Sequence, residues 1–177
     1  NVKLAFTRML AGQMDYTPGA FLNVTREQFK QQVPAIVWNT RAAELSKFVI
    51  YESPLTVVCD HPDNILGQPG SDFLKIVPTT WDDIKFLGGY PGEWVALAKR
   101  SRDKWFIGVM NNSREKTVEI NLDFLPQGNY IIDSWSDTKN SGKEPKELNK
   151  TTSKLKSPGS MKITMVKNGG YVGVIGK

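Results

Sequence analysis

Seven short segments rich in β-branched and aromatic residues follow one another in the second half of the chain, separated by turns of Gly, Pro, Asn, Asp and Ser. Short strands with turn signals at such close spacing are typical of an antiparallel β-sandwich. The segments are 85–90, 93–99, 104–110, 117–122, 129–133, 162–166 and 171–175. This feature constrains the fold most, and it predicts an antiparallel sandwich over residues 75–177.

The first 74 residues follow a different pattern. Leu4–Leu10 is a mostly apolar run that ends before Gly12, which predicts a strand buried on both faces, as in a parallel sheet. A helix is predicted from Thr40 to about Tyr51, because apolar residues recur there at three- and four-residue intervals. The apolar positions are Ala42, Leu45, Phe48 and Val49, and the charged residues on the other faces are Arg41, Glu44 and Lys47. Leu55–Cys59 fits either a buried strand or a short helix, since periodicity does not separate them in so few residues.

Composition and charge limit the kinds of partner and binding site expected for this chain. The formal net charge of +5 is carried largely by lysines spaced through residues 143–167. No aromatic or arginine cluster accompanies them, so we interpret them as a solvated lysine face and expect no nucleic-acid partner. Cys59 is the single cysteine, which excludes an internal disulfide and a metal site built on cysteines. No stretch of about 18 apolar residues is present, so we expect no membrane span.

Candidate catalytic groups are few. His61, the single histidine, lies two residues from Cys59, but no motif of a nucleophilic cysteine surrounds the pair. Three carboxylates are left as general candidates: Asp15, Glu52 and Asp60. A glycosidase needs roughly 5–9.5 Å between its two carboxyl groups, and the sequence does not give their separation.

Several sequence blocks appear in the order and spacing of a known family. They are Phe6-Thr7-Arg8-Met9-Leu10-Ala11-Gly12, Met14-Asp15-Tyr16-Thr17-Pro18-Gly19, Tyr51-Glu52-Ser53-Pro54-Leu55, Asp72-Phe73-Leu74, Val77-Pro78-Thr79-Thr80-Trp81-Asp82 and Leu122-Asp123-Phe124-Leu125. Over nearly its whole length the chain resembles the C-terminal portion of glycoside hydrolase family 97, the bacterial α-glucosidases and α-galactosidases. Two loop residues depart from the family pattern: Gln13 replaces a usual proline, and His61 replaces a commoner serine.

The resemblance implies a calcium-dependent enzyme with an N-terminal β-sandwich, a central (β/α)8 TIM barrel and a C-terminal β-sandwich. Residues 1–74 would be the C-terminal part of the catalytic barrel, its last strand–helix units, and residues 75–177 the C-terminal β-sandwich. In the family, the acid and base glutamates and the glutamates that hold calcium lie upstream of the segment matching Phe6. No residue of this chain inherits a catalytic or metal-binding role, so we expect the chain alone to be inactive.

The resemblance also indicates where substrate would lie. Asp15 and Tyr16 follow the first predicted strand in a loop of the kind that carries sites in α/β barrels, so they are the candidate substrate-binding residues. The implied partners are an oligosaccharide substrate and the remainder of the chain's own barrel and N-terminal domain. The family places such enzymes in the periplasm or cell envelope of bacteria. Because Asn1 is followed directly by a predicted buried strand, we expect the chain to be a fragment of a longer protein.

An alternative interpretation is a non-catalytic carbohydrate-binding or association module. Four tryptophans lie in or beside the predicted sandwich, and exposed aromatic rings can stack on sugars: Trp81, Trp94, Trp105 and Trp135. Strand alternation places Trp105 in the core with Ile107 and Val109. Trp135, at a strand end, is the best candidate for an exposed aromatic residue.

Overall fold

A computed structural model describes residues 1–177, which form four short α-helices followed by eight β-strands. The helices are α1 (Val2–Phe6), α2 (Arg41–Ile50), α3 (Pro62–Ile65) and α4 (Ser71–Leu74), with a 3-10 turn at Arg8–Ala11. The strands are β1 (Asp83–Tyr90), β2 (Trp94–Ser101), β3 (Lys104–Asn111), β4 (Lys116–Asn121), β5 (Gly128–Ser136), β6 (Asn149–Ser157), β7 (Ser160–Met165) and β8 (Gly170–Gly176). None of the helices combines the length and the apolar content needed to cross a bilayer.

The strands form the predicted antiparallel sandwich. A six-stranded sheet has the order β1-β2-β3-β8-β5-β6, and β4 pairs with β7 in a second sheet. All neighbouring strands are antiparallel. Apolar side chains of both sheets meet in one core, which includes Trp105, Ile107, Ile120, Ile132 and Ile163. The seven strands predicted from short apolar segments and the turns between them are confirmed to within a few residues at their ends.

The other face of the six-stranded sheet is also covered. Helix α2 packs against β3 and β8, and a second apolar cluster forms there from Phe21, Leu45, Val49, Phe73, Phe106, Trp135, Val172 and Val174. The helix approaches the sheet closely at Gly108, where an added Cβ atom would lie 2.8 Å from the Cβ atom of Val49. The central strands of the sheet are therefore buried on both faces.

The strand predicted at Leu4–Leu10 is wrong. Val2–Phe6 is helical, and the next residues form the 3-10 turn. A strand buried on both faces needs hydrogen-bonded neighbours, and none of the eight strands pairs with this segment. A helical turn satisfies part of the backbone within the segment itself, and it buries Val2 against Ile50 and Tyr51.

Leu55–Cys59 forms neither a regular strand nor a helix. Thr56 makes an isolated parallel bridge with Tyr16. Backbone hydrogen bonds flank this bridge, from Met14 N to Glu52 O at 3.0 Å and from Cys59 N to Pro18 O at 2.9 Å. Residues 14–18 and 52–59 thus run side by side in the same direction, and α2 lies between them in the sequence.

Strand β6 has no counterpart among the predicted strands. It is an edge strand that pairs only with β5, and most of its residues are exposed and polar. Because one-sided burial produces the apolar alternation that identifies a strand, a largely exposed strand carries no such signal. Its lysines Lys150, Lys154 and Lys156 face solvent, as expected for a solvated lysine face.

The predicted environment is confirmed for one of two tryptophans, Trp105, and wrong for the other, Trp135. Trp105 lies in the sandwich core, as alternation predicts. The expectation of an exposed Trp135 is wrong, because its side chain is only 2 % exposed. It packs edge-on against Phe73 at 5.3 Å between ring centroids, and its Nε1 donates to Asp72 Oδ1 at 3.1 Å. Helix α4 covers a sheet face that strand alternation alone left open to solvent.

Candidate functional site

A cavity of about 330 Å³ lies beside the N-terminal half of α2. Its walls come from Asn1 and Val2 at the start of α1, from Tyr16, from α2 and the segment that leads into it, and from the turns at the ends of β3 and β8. The lining combines aromatic and amide side chains, among them Tyr16, Phe29, Trp38, Asn39, Asn112 and Asn168. Glu44 is its single carboxylate and Lys47 its single side-chain cation.

The charged residues of α2 are buried, although the sequence places them on faces away from the apolar stripe. Arg41, Glu44 and Lys47 are 0 %, 1 % and 5 % exposed. They are spaced by three residues, so they follow one another along one side of the helix. A buried charge is costly unless it is paired and hydrogen-bonded, so the contacts of these three side chains determine how this region is built.

Glu44 is the centre of this network. Its Oε2 accepts a hydrogen bond from Gly19 N at 3.1 Å, and its Oε1 accepts from Asn39 Nδ2. The Lys47 ammonium forms an ion pair with the same carboxylate. Glu44 thereby connects α2 to the loop that follows Tyr16 and to the residue that precedes the Thr40 N-cap.

Lys47 and Tyr16 complete the polar wall. Burial lowers the pKa of Lys47, but the Glu44 carboxylate and Tyr16 outweigh it, so the net shift is upward and the ammonium form is retained. Burial raises the pKa of Tyr16, although Lys47 opposes the shift, so its hydroxyl stays protonated. The Tyr16 ring packs edge-on against Tyr51 at 4.7 Å between centroids.

Arg41 forms hydrogen bonds with later residues of the loop that follows Tyr16. Its Nε donates to Asn23 Oδ1 at 2.6 Å, and its two terminal nitrogens donate to Phe21 O at 2.6 Å and Pro69 O at 3.0 Å. Burial lowers the pKa of Arg41 to about 10, with Asp60 opposing, so the guanidinium is charged at neutral pH. The guanidinium also lies over the Phe21 ring at 4.2 Å from its centroid.

The two candidate substrate-binding residues occupy different environments. Tyr16 is half-buried and lines the cavity, whereas Asp15 is exposed and does not. Their role in substrate binding stays a prediction.

The other carboxylates named from the sequence are engaged elsewhere. Glu52 forms an ion pair with Lys99 at 2.7 Å. Asp60 accepts hydrogen bonds from the backbone of Phe21 at 2.8 Å and His61 at 2.7 Å. Neither carboxylate lines the cavity. These contacts brace loops, and they do not assemble the pair of carboxyl groups that glycosidic cleavage requires.

The lining of the cavity combines aromatic rings and amides with a single carboxylate. Aromatic rings and amides can hold a polar ligand, but the one carboxylate is already paired with a buried lysine. Calcium prefers six to eight oxygen ligands, and the structure contains no cluster of three or more His, Cys, Asp or Glu side chains that would hold a metal ion.

Sequence reasoning missed the buried polar network. Its signal was the spacing of Arg41, Glu44 and Lys47, which places three charges on one side of a short helix. The same spacing is common on solvated helix faces. What distinguishes this helix is that the loop before it folds back over its charged side, and the local sequence does not report that.

The chain matches known proteins over most of its length. Residues 80–176 match the family profile described as "Glycosyl-hydrolase 97 C-terminal, oligomerisation". A retaining α-galactosidase of Bacteroides thetaiotaomicron is 28 % identical over 97 % of the chain, which corresponds to 26 % of that protein. A probable retaining α-galactosidase of Streptomyces bingchenggensis is 30 % identical over 97 % of the chain and 25 % of that protein.

A solved structure gives the same correspondence in three dimensions. A glycoside hydrolase family 97 enzyme from a Pseudoalteromonas species, in complex with panose, superposes with a TM-score of 0.87 at 28 % identity. The match covers 99 % of this chain and 28 % of that protein. The chain thus spans about a quarter of the length of the relatives it matches.

Proposed function

The chain belongs to glycoside hydrolase family 97 as a C-terminal portion, and from this premise we propose that it completes an enzyme that cleaves α-glycosidic bonds in oligosaccharides. The observation that carries the proposal is the match over nearly the whole chain to two proteins named as retaining α-galactosidases. The related Pseudoalteromonas enzyme binds panose, so both α-galactosides and α-glucosides are substrate classes to test.

In this proposal, residues 1–74 form the last strand–helix units of the (β/α)8 barrel. The parallel bridge between Tyr16 and Thr56 supports it, because two extended segments in the same direction with a helix between them have the connectivity of a β-α-β unit.

The catalytic glutamates and the calcium ligands belong, in this proposal, to the part of the protein upstream of Asn1. That placement rests on the family resemblance, because the glutamates of the family lie upstream of the segment that matches Phe6. Asp15 and Tyr16 would then form part of the substrate-pocket wall. The proposed location is the periplasm or cell envelope of a bacterium, and it rests on the family alone.

The test compares residues 1–177 with a longer protein that includes the upstream region. We expect no release of nitrophenol from aryl α-galactosides or α-glucosides by residues 1–177, with or without calcium, and cleavage of one of them by the longer protein. In the longer protein, Asp15→Asn should raise KM or lower kcat modestly, because a wall contact positions substrate and does not supply the proton. Turnover by residues 1–177 alone would overturn the proposal.

A second function for the same chain is carbohydrate binding without catalysis. Trp38 is 42 % exposed at the cavity, next to Asn39, and the Arg26 guanidinium lies over its ring at 5.3 Å. Trp105 and Trp135 are buried and cannot serve as platforms. We expect any binding of maltooligosaccharides or α-galactosides to residues 1–177, measured by calorimetry, to be lost in Trp38→Ala and kept in Phe86→Ala, whose exposed ring lies outside the cavity.

The C-terminal sandwich is also proposed to mediate oligomerisation, as the description of the matching family profile states for that domain. The match covers residues 80–176, which include all eight strands.

A further inference from the structure

The segment that carries the two candidate substrate-binding residues is attached to α2 by a buried contact. Within residues 15–19, Tyr16 lines the cavity, and Gly19 N donates a buried hydrogen bond to Glu44 Oε2 at 3.1 Å. Gly19 lies three residues after Tyr16, and the φ angle of Pro18 between them is fixed by its ring. A shift of Gly19 relative to α2 is therefore passed to Tyr16 through a short and stiff piece of backbone.

Three hydrogen-bond donors from three parts of the chain converge on Glu44. Besides Gly19 N, its carboxylate accepts from Asn39 Nδ2 and from the ammonium of Lys47. A carboxylate offers only acceptors, so it serves all three donors, whereas the amide of a glutamine would turn an N–H group toward one of them. Because Glu44 is 1 % exposed, a donor that loses this carboxylate is left buried without a partner.

Gly19 makes the contact possible from the other side. Its φ angle is +90°, in the left-handed region that favours glycine. An added Cβ atom would lie 2.8 Å from Cζ of Phe48 on α2. Residues 15–19 can therefore approach α2 this closely only with glycine at this position.

We propose that Glu44 is a positioning residue, which holds residues 15–19 in the geometry that binds substrate. The inference rests on the proposed function, because Asp15 and Tyr16 form part of the substrate-pocket wall only in that proposal. Glu44 acts through Gly19, since its carboxylate is already occupied by three donors. Residues of a binding site keep their geometry when surrounding hydrogen bonds fix them, and a displacement of about 1 Å is enough to impair the site.

The test measures kcat and KM in the longer protein that includes the upstream region, with the aryl α-glycoside that it cleaves. We expect Glu44→Gln to raise KM about tenfold and to leave kcat within about twofold of wild type, because a displaced pocket wall loses substrate binding. Gly19→Ala breaks the same contact from the other side and should give the same change. Loss of folded protein has a different signature, since it lowers the apparent kcat and leaves KM unchanged.

Asp137→Asn is the matched control. Asp137 is also a buried carboxyl group that accepts hydrogen bonds from backbone N–H groups, those of Val166 and Gly170. Its hydrogen bonds lead to none of residues 15–19, and it does not line the cavity. We expect the KM of this variant to equal that of wild type.

A double variant tests whether Glu44 acts through this segment. When Glu44→Gln is combined with Asp15→Asn, KM should rise by less than the product of the two single changes, because both changes act on residues 15–19. Glu44→Asp keeps the charge but moves the carboxylate away from Gly19, and it takes the place of Glu44→Gln if that variant does not fold.

The outcomes separate this inference from the proposed function. A longer protein that cleaves neither aryl α-galactosides nor aryl α-glucosides would overturn both. Turnover with unchanged KM in Glu44→Gln and Gly19→Ala would overturn the positioning role alone. An equal rise of KM in Asp137→Asn, or full additivity with Asp15→Asn, would do the same.

Discussion

The two faces of the six-stranded sheet are both buried, but different kinds of residues cover them. On the sandwich side, the cover comes from β4 and β7 and consists of apolar side chains such as Val118, Ile120 and Ile163. On the helix side, α2 contributes Leu45 and Val49, but it also buries a row of charged residues.

Lys99 of β2 adds a further buried charge on the helix side. It is 1 % exposed, and its ammonium donates to Glu52 Oε2 at 2.7 Å and Tyr51 O at 3.2 Å. Burial lowers the pKa of Lys99, and the Glu52 carboxylate limits the decrease. The sandwich core is thus stabilised by close packing of apolar side chains, whereas the helix side also depends on each buried charge keeping its partner.

Removing the helix side altogether should have the largest effect. In residues 75–177 alone, Phe106, Trp135, Val172 and Val174 would lose the cover that residues 1–74 provide. The sequence pattern by itself indicates a sandwich that folds independently. Because both faces of its large sheet are buried in the whole chain, we expect the fragment to have low stability, to bind hydrophobic dyes and to aggregate. A cooperative thermal transition of residues 75–177 equal to that of residues 1–177 would show that the helix side contributes nothing to stability.

We expect residues 1–70 alone to remain unfolded, because they cannot bury their apolar faces.

Single tryptophan replacements compare the two faces directly. Trp105 belongs to the sandwich core and Trp135 to the helix-side cluster. We expect Trp105→Ala and Trp135→Ala each to lower the free energy of unfolding by about 3–5 kcal/mol, the usual range for a buried large aromatic residue. Trp38→Ala is the control, and its partly exposed ring should cost much less. A loss for Trp135→Ala as small as that for Trp38→Ala in urea unfolding would contradict its burial.

The buried ion pair of α2 tests whether the helix side depends on pairing. Glu44→Gln leaves Lys47 buried without a counter-charge, so we expect a loss of about 3 kcal/mol in the free energy of unfolding. The double variant Glu44→Gln with Lys47→Met removes both charges and should recover much of that loss. No recovery in the double variant would mean that the hydrogen bonds from Gly19 and Asn39, and not the ion pair, carry the stability.

Replacing Asp137 should give the smallest effect, a change in how the stability of the folded chain varies with pH. Asp137 joins the two faces, because its Oδ2 accepts from Val166 N at 3.1 Å and Gly170 N at 3.0 Å, and Thr40 at the start of α2 also contacts it. Burial raises the pKa of Asp137 to about 7, although these hydrogen bonds oppose the shift. Its Oδ1 is buried without a partner.

The sign follows from the raised pKa. Between the ordinary carboxyl value near 4 and about 7, the folded chain holds a proton at Asp137 that the unfolded chain has released, so the contribution to stability falls as pH rises through this window. We expect the melting temperature of Asp137→Asn to depend less on pH between pH 4 and pH 7 than that of the wild type. An unchanged slope would contradict the raised pKa.

The sandwich could be predicted because its signal is local. Each strand from β1 to β5, and again β7 and β8, contains apolar or aromatic residues, and turn residues mark its ends. Strand β6 escaped prediction because its residues are mostly polar and exposed. The family blocks around Phe6, Asp15 and Trp81 also depended only on residue order, which is why the family was identified from the sequence.

The sequence by itself determined the sandwich, the helix at Thr40–Tyr51 and the family. Only the tertiary structure decided which polar residues are buried. Arg41, Glu44 and Lys47 read locally as a solvated helix side, and Trp135 read as an exposed strand end. Their burial comes from segments distant in the sequence. The loop with Gly19 and Asn23 covers the charged side of α2, and Phe73 of α4 covers Trp135. Local periodicity records which side of an element is apolar, but the partner that covers a polar side is fixed by long-range packing, and no local pattern encodes that.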